Sequence, residues 1–365
     1  MIRAKTFDLK RTRPLEQRQA SNSSINEEEA GQGALRLESV PRRVIFELTN
    51  ACNLNCIMCG RNSATFPTVY MCPSIIGKLG NVLERCEETT LFGWGEPTLH
   101  PDFQGILETL DGYPARKYLL TNGMRLLELA PLLMEHSLDL LGVSLDGANP
   151  ATNDRIRAGG SFEQVLEGIR RIVSIKSKKS SAYPHINLVM TLMKSNLEEL
   201  PDMVRLAHSL GVEEVKGVYL TAFSRELAPE TLWDVPDRVK KVFEETDSLA
   251  GKLDILLKLP QVPGEDDAGN SRHRHCYVGW RDLFIGADGN VRPCMSTPQH
   301  FGQIRDASFE YLWNGPAFQE FRRQVNSIGA MPSSCRRCYQ SSHANWNFPH
   351  SFVQVGEDFF PEWTP

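Results

Sequence analysis

RVIFELTNACNLNCIMCG, residues 43–60, runs from a short apolar, β-branched stretch straight into three cysteines at C-x3-C-x2-C spacing: Cys52, Cys56 and Cys59. The first half reads as a strand and the second as the loop that leaves it. The same texture recurs downstream. TTLFGW (89–94), KYLLTN (117–122), LDLLGVSLDG (138–147), INLVMTL (186–192) and EEVKGVYL (213–220) are strand-like. Helical patterns fill the gaps: PSIIGKLGNVLERC (73–86) and segments starting near Pro101, Leu126, Ser161 and Leu197. Six strands alternating with helices call for a parallel sheet, which right-handed crossovers curl into a full or partial barrel. In such a fold the strand C-termini carry the chemistry. Each unusual polar motif falls just there: the cysteine loop after the first strand, GWGEP (93–97) after the second, TNG (121–123) after the third and SLDG (144–147) after the fourth. Taken singly these are ordinary turn residues. Their common placement is what points to a site.

The 365 residues suit one large domain with an appendage, or two ordinary ones, and the 41% hydrophobic content can fill a core. A net charge of -5 argues against coating nucleic acid or an acidic membrane by bulk electrostatics. No apolar run reaches transmembrane length, and the N-terminus lacks the apolar core of a secretory signal. The expectation is a soluble, cytoplasmic chain. Residues 1–42, rich in Ser, Asn, Glu and Gln, show neither helical nor strand periodicity and read as a flexible polar arm.

Nine cysteines in a reducing compartment are ligands, nucleophiles or core fillers rather than disulfides. Three are bunched early and four follow residue 270, namely Cys276, Cys294, Cys335 and Cys338. That split suggests two metal sites. Three cysteines leave one position open on a four-iron cluster, where a substrate or cofactor can bind. Zinc with a fourth ligand from elsewhere and a redox cysteine set remain alternatives at this point.

The C-x3-C-x2-C motif after the first strand, with GWGEP after the second, resembles the radical S-adenosylmethionine (SAM) enzymes. The resemblance implies a [4Fe-4S] cluster on Cys52, Cys56 and Cys59 whose remaining iron is chelated by SAM. It implies that Gly93, Gly95, Glu96 and Pro97 shape the backbone receiving the methionine amino group, and that Ser144 and Arg157 face the SAM carboxylate or ribose. Two positions depart from the pattern: Met58 stands where an aromatic often faces the adenine, and Trp94 replaces a glycine.

Toward the C-terminus, Cys276 and Cys294 flank a hairpin with the turn ADGN, a helical segment FEYLWNGPAFQEFRRQV follows, and CRRC supplies Cys335 and Cys338. Chemically this also suits a zinc ribbon. The pattern resembles the SPASM/twitch extensions of radical SAM enzymes, and four cysteines match the twitch form with a single auxiliary [4Fe-4S] cluster. The fold expected is therefore α/β: a partial (β/α)6 barrel of the radical SAM type over 43–258, a small twitch-type auxiliary iron-sulfur domain over 259–345, and an aromatic tail over 346–365 docked on the body.

The resemblance further implies SAM cleavage to a 5'-deoxyadenosyl radical that abstracts a hydrogen atom. The cysteine count and spacing are similar to the aminocyclitol dehydrogenase type. A small polar substrate (aminocyclitol, sugar or nucleoside) undergoing dehydrogenation, with the auxiliary cluster accepting the electron, is the leading expectation. A flavodoxin or ferredoxin-type protein would donate electrons, with no nucleic acid or membrane involved. Alternatives are an epimerase or a decarboxylase/lyase on a similar substrate, a peptide-modifying radical SAM maturase, and a non-enzymatic zinc-binding interaction protein. Cys72 is the candidate hydrogen donor for epimerisation, Cys86 reads as core filler, and His100 as a residue that fixes the loop after GWGEP.

Overall fold

The computed structural model describes residues 13–63, 67–263, 275–327 and 329–336. Its centre is a nine-stranded sheet in the order β7-β6-β5-β4-β3-β2-β1-β8-β9. The strands are β1 (Arg43–Phe46), β2 (Glu88–Leu91), β3 (Arg116–Thr121), β4 (Leu140–Ser144), β5 (His185–Leu192), β6 (Glu214–Tyr219), β7 (Leu256–Lys258), β8 (Asp282–Ile285) and β9 (Val291–Arg292). Neighbours from β7 through β1 to β8 pair in parallel, and only β8 with β9 is antiparallel. The six expected strands are all present and form the partial barrel.

Parallel strands buried on both faces give near-continuous apolar runs, and the two faces of β1 differ in what they bury. Val44, Phe46 and Leu48 join the main apolar core, whereas Arg43, Ile45 and Glu47 alternate onto the other side. That inner side is polar toward the strand N-termini. Arg43 grips Asp282 through Nε at 3.1 Å and Nη2 at 2.8 Å, which locks β1 to β8. Burial drives the Lys216 ammonium down to about 7 and the Glu88 carboxyl up to about 7.

The helices Phe103–Asp111, Leu126–Glu135, Phe162–Lys178 and Leu200–Leu210 cross between successive strands, close to where their periodicity placed them. Ser161 caps the third of these by accepting from Gln164 N. The long helix Pro236–Leu253, which opens with Pro at its first position, was not anticipated.

Three expectations change. Residues Gln17–Gln32 form a helix where a flexible arm was expected. Its buried stripe is Gln19, Asn22, Ser23, Asn26 and Ala30, which is helical spacing carried by polar side chains, so a hydrophobic-period reading misses it. Those side chains satisfy backbone groups of the body: Gln19 Nε2 donates to Cys86 O at 2.7 Å, Asn22 Nδ2 to Val40 O at 3.1 Å, and Asn26 Nδ2 to Trp280 O at 2.8 Å. The single helix expected across FEYLWNGPAFQEFRRQV is two, Phe309–Trp313 and Pro316–Gln324, because Pro316 has no N–H to continue the first and instead starts the second. The helical stretch at 73–86 is likewise split into Ser74–Gly77 and Gly80–Leu83. The auxiliary hairpin also extends the barrel sheet, with β8 alongside β1. The aromatic tail and Cys338 lie outside the described residues.

Asn26 also donates to Ser39 Oγ at 2.8 Å. Asn26→Ala leaves these buried acceptors without that donor and is expected to lower unfolding free energy by about 1–3 kcal/mol in urea titration. An unchanged midpoint would show that the helix is not held this way.

Candidate active site

The chain leaving β1 is held to the barrel before it reaches the first cysteine. Met71 N donates to Leu48 O at 2.8 Å, and Thr49 Oγ1 donates to Val69 O at 2.7 Å. The cysteine loop is then strapped to the segment beyond β4, with Asn55 N to Ala158 O at 2.8 Å and Ile57 N to Ile156 O at 2.9 Å. Asn62 Nδ2 closes its far end on Cys56 O at 2.8 Å. Cys56 is buried, Cys52 and Cys59 half-buried, and all three thiols are free.

Burial pushes the Cys56 thiol up to about 12 and raises Cys59 as well; Arg157 is the cation that opposes both. Ligation needs thiolates, so a strongly electropositive group must meet them. Among the described residues no three or more His, Cys, Asp or Glu side chains gather as around a single metal ion. A four-iron cluster makes a different demand, since each cysteine takes a different iron. Three free thiols on one strapped loop, with a buried arginine beside them, fit that group.

GWGEP presses onto this loop through bare backbone. A Cβ on Gly95 would stand 2.3 Å from Thr49 O and 2.5 Å from Ala51 O, and Glu96 N donates to Ala51 O at 2.8 Å. A Cβ on Gly93 would meet Glu47 Cγ at 2.4 Å. Glu96 is buried and caps the turn Pro97–Leu99. Its Oε1 accepts from Thr98 N at 3.2 Å, Thr98 Oγ1 at 2.7 Å and Thr121 Oγ1 at 2.7 Å, and its Oε2 from Asn122 N at 2.7 Å. Burial raises this carboxyl while those donors hold it down. Glu96 thus pins GWGEP to TNG. Asn122 carries the connection on, its Nδ2 donating to Asn53 Oδ1 at 2.8 Å and reaching Cys52 Sγ at 3.9 Å.

On the opposite flank, Ser144 ends β4 half-buried. Arg157 is paired through Nε with Asp146 Oδ2 at 2.8 Å, and Asp146 Oδ1 accepts from Thr191 N at 2.6 Å. Met58 packs on the buried trio Ile156, Met193 and Leu220. Trp94, in place of a glycine, meets Phe223 edge-on at 5.7 Å, and both rings close over Gly60.

The remaining candidates separate clearly. Cys72 is exposed, its thiol lowered by hydrogen bonding to Ser74 Oγ at 3.1 Å. Cys86 is fully buried and strongly raised by burial, as a core thiol is. His100 accepts from Asp102 N at Nδ1 and meets Met71 O at Nε2, so both ring nitrogens are spent on the loop. Cys276, Cys294 and Cys335 are half-buried, with Cys276 N held by Asn326 Oδ1 at 2.8 Å and Cys294 Sγ beside Thr297 Oγ1 at 3.2 Å. Sequence reasoning did not single out Glu47, Asp146, Asn122 or Phe223 as site residues. The acid within the apolar run RVIFELT was a usable signal; Phe223 had none.

Residues 46–207 match the family model of the Radical SAM superfamily, and residues 276–339 match SPASM, an iron-sulfur cluster-binding domain. The chain is 27% identical over 298 residues to the antilisterial bacteriocin subtilosin biosynthesis protein AlbA of Bacillus subtilis (strain 168), covering 76% of this chain and 60% of AlbA. It is 28% identical over 317 residues to the mycofactocin maturase MftC of Mycobacterium tuberculosis (strain ATCC 25618 / H37Rv), covering 81% of this chain and 77% of MftC. Among solved structures, Streptococcus suis SuiB bound to S-adenosylmethionine shares the fold with a TM-score of 0.65 at 13% identity, covering 83% of this chain and 72% of SuiB.

Glu96→Gln places an amide donor among groups that are all donors. It is expected to weaken SAM binding at least about tenfold by equilibrium dialysis, the cost of one buried unsatisfied group, with iron content retained. Unchanged SAM affinity would remove Glu96 from the site.

Proposed function

Because the chain belongs to the radical SAM superfamily and carries a SPASM domain, with SAM and two iron-sulfur clusters as cofactors, we propose that it is a maturase that oxidatively modifies a peptide. The observation that carries this reading is the match to AlbA and MftC, a bacteriocin biosynthesis protein and a maturase, across most of this chain. It replaces dehydrogenation of an aminocyclitol, sugar or nucleoside as the leading reading. That expectation rested on the count of C-terminal cysteines and on an N-terminal segment read as unstructured.

When bound, the reduced cluster and SAM supply hydrogen-atom abstraction from an unactivated substrate carbon. Cys52, Cys56 and Cys59 hold that cluster. Gly93 and Gly95 let GWGEP close onto Glu47 and the cysteine loop, Pro97 opens the turn that follows, and this backbone would receive the SAM amino group, with Glu96 keeping it in place. Ser144 and the Asp146-braced Arg157 receive the SAM carboxylate and ribose. Met58, on its apolar trio, offers a polarisable face to the adenine. Trp94 and Phe223 close over Gly60 of the loop. Cys276, Cys294, Cys335 and Cys338 would hold the second cluster, which would supply an electron acceptor for the oxidation. A flavodoxin or ferredoxin-type protein supplies the reducing electron.

The test compares peptide libraries with a panel of aminocyclitols, sugars and nucleosides for stimulation of 5'-deoxyadenosine formation. Peptides are expected to stimulate, yielding a product lighter by two hydrogen atoms, and Cys72→Ala is expected to leave that product unchanged. Stimulation by the small molecules alone would return the reading to dehydrogenation. An isobaric product lost in Cys72→Ala would favour an epimerase.

A further inference from the structure

Glu47 belongs to neither cysteine set, yet it touches the loops that serve both. It lies one residue beyond β1, on the inner face and 2% exposed. Its Oε1 accepts from Trp94 N at 2.8 Å, in the middle of GWGEP. Its Oε2 faces Ala287 N at 3.4 Å, in the hairpin turn between β8 and β9, and its own N–H donates to Ile285 O at 2.9 Å. That hairpin lies between Cys276 and Cys294 in the chain, with Arg292 only two residues before Cys294. Gly93 is what lets the carboxylate lie against GWGEP, since a Cβ there would stand 2.6 Å from Glu47 Oε1.

We propose that Glu47 is a positioning residue that ties the SAM-receiving loop to the auxiliary-cluster hairpin, so that SAM binding and the surroundings of the second cluster depend on one carboxylate. An apolar side chain at this position would leave Trp94 N without its side-chain acceptor. A carboxylate rather than an amide is suited to both sides, because each neighbour presents an N–H donor. Arg292 and Asp288 are the charged groups that face it from the hairpin, the first favouring and the second opposing its ionisation. Burial sets the Glu47 carboxyl at about 7. As pH falls through that value it takes up a proton, one oxygen becomes a donor, and the grip on its two N–H partners loosens.

The inference rests on the two-cluster reading and not on the peptide substrate, which is absent from the test. In a chain with Cys52, Cys56 and Cys59 all changed to Ala, only the second cluster remains. Above about pH 7, where the carboxyl is ionised, adding Glu47→Gln to it is expected to move that cluster's midpoint potential in the positive direction, because a negative charge beside the hairpin is lost. Gly93→Ala in the same background, which pushes the carboxylate aside from the SAM-loop side, is expected to shift the potential as well. In the otherwise native chain, Glu47→Gln is expected to raise the SAM dissociation constant about tenfold, as for a lost charged hydrogen bond. The wild-type constant is expected to rise more steeply than that of Glu47→Gln as pH falls through about 7. A second-cluster potential unmoved by both substitutions, or a SAM constant unmoved by Glu47→Gln, would overturn the tie and leave the peptide reading as it stands.

Discussion

The site depends on one contact between two stretches of bare backbone. GWGEP lies so close to the cysteine loop that a single added carbon at Gly95 would overlap the carbonyl oxygens of Thr49 and Ala51. Two loops reach that separation only because β1 and β2 are hydrogen-bonded neighbours in register, with Phe46 opposite Leu91. The register aligns the ends of the two strands. The backbone bond from Glu96 N to Ala51 O then fixes the remaining freedom. Glycine is needed here for close approach, since the strain at Gly95 is a matter of space.

Around that contact, burial opposes ionisation of the cysteine thiols. It raises the Cys56 and Cys59 thiols, and Arg157, the cation that opposes this at both, is already paired with Asp146. Iron is the natural counterpart for thiols in such a position, and it draws them to the ionised form. Glu96 shows the reverse arrangement. It is buried among so many donors that its carboxylate is fully employed within the protein, which makes it a brace for the loop. Buried polar groups satisfied in this way specify one geometry, and they are costly to disturb.

The barrel strands were legible because each is a short apolar run closed by a polar turn, and the cysteine motifs because their spacing is specific. What escaped did so for identifiable physical reasons. The helix Gln17–Gln32 has helical periodicity written in Gln, Asn and Ser, whose burial is driven by hydrogen bonds to backbone groups rather than by apolar area. The pairing of β8 with β1 joins residues more than 230 positions apart, and no local pattern announces it. Asp146 was visible in SLDG, but its hold on Arg157 depends on how the chain beyond β4 folds back. Phe223 becomes part of the site only because β6 ends opposite the Trp94 ring. Glu47 was in plain view as the one charge inside an apolar strand run, and its significance follows from the hairpin that arrives beside it.

The central claim is that this chain holds two iron-sulfur clusters of different accessibility, one open to SAM and one enclosed by cysteine. Mössbauer spectroscopy of the anaerobically reconstituted, 57Fe-labelled protein tests it most directly. The expected result is about eight irons per chain in two four-iron clusters, with the spectrum of a single iron site changing when SAM is added. About four irons with stoichiometric zinc, or a spectrum indifferent to SAM, would contradict it.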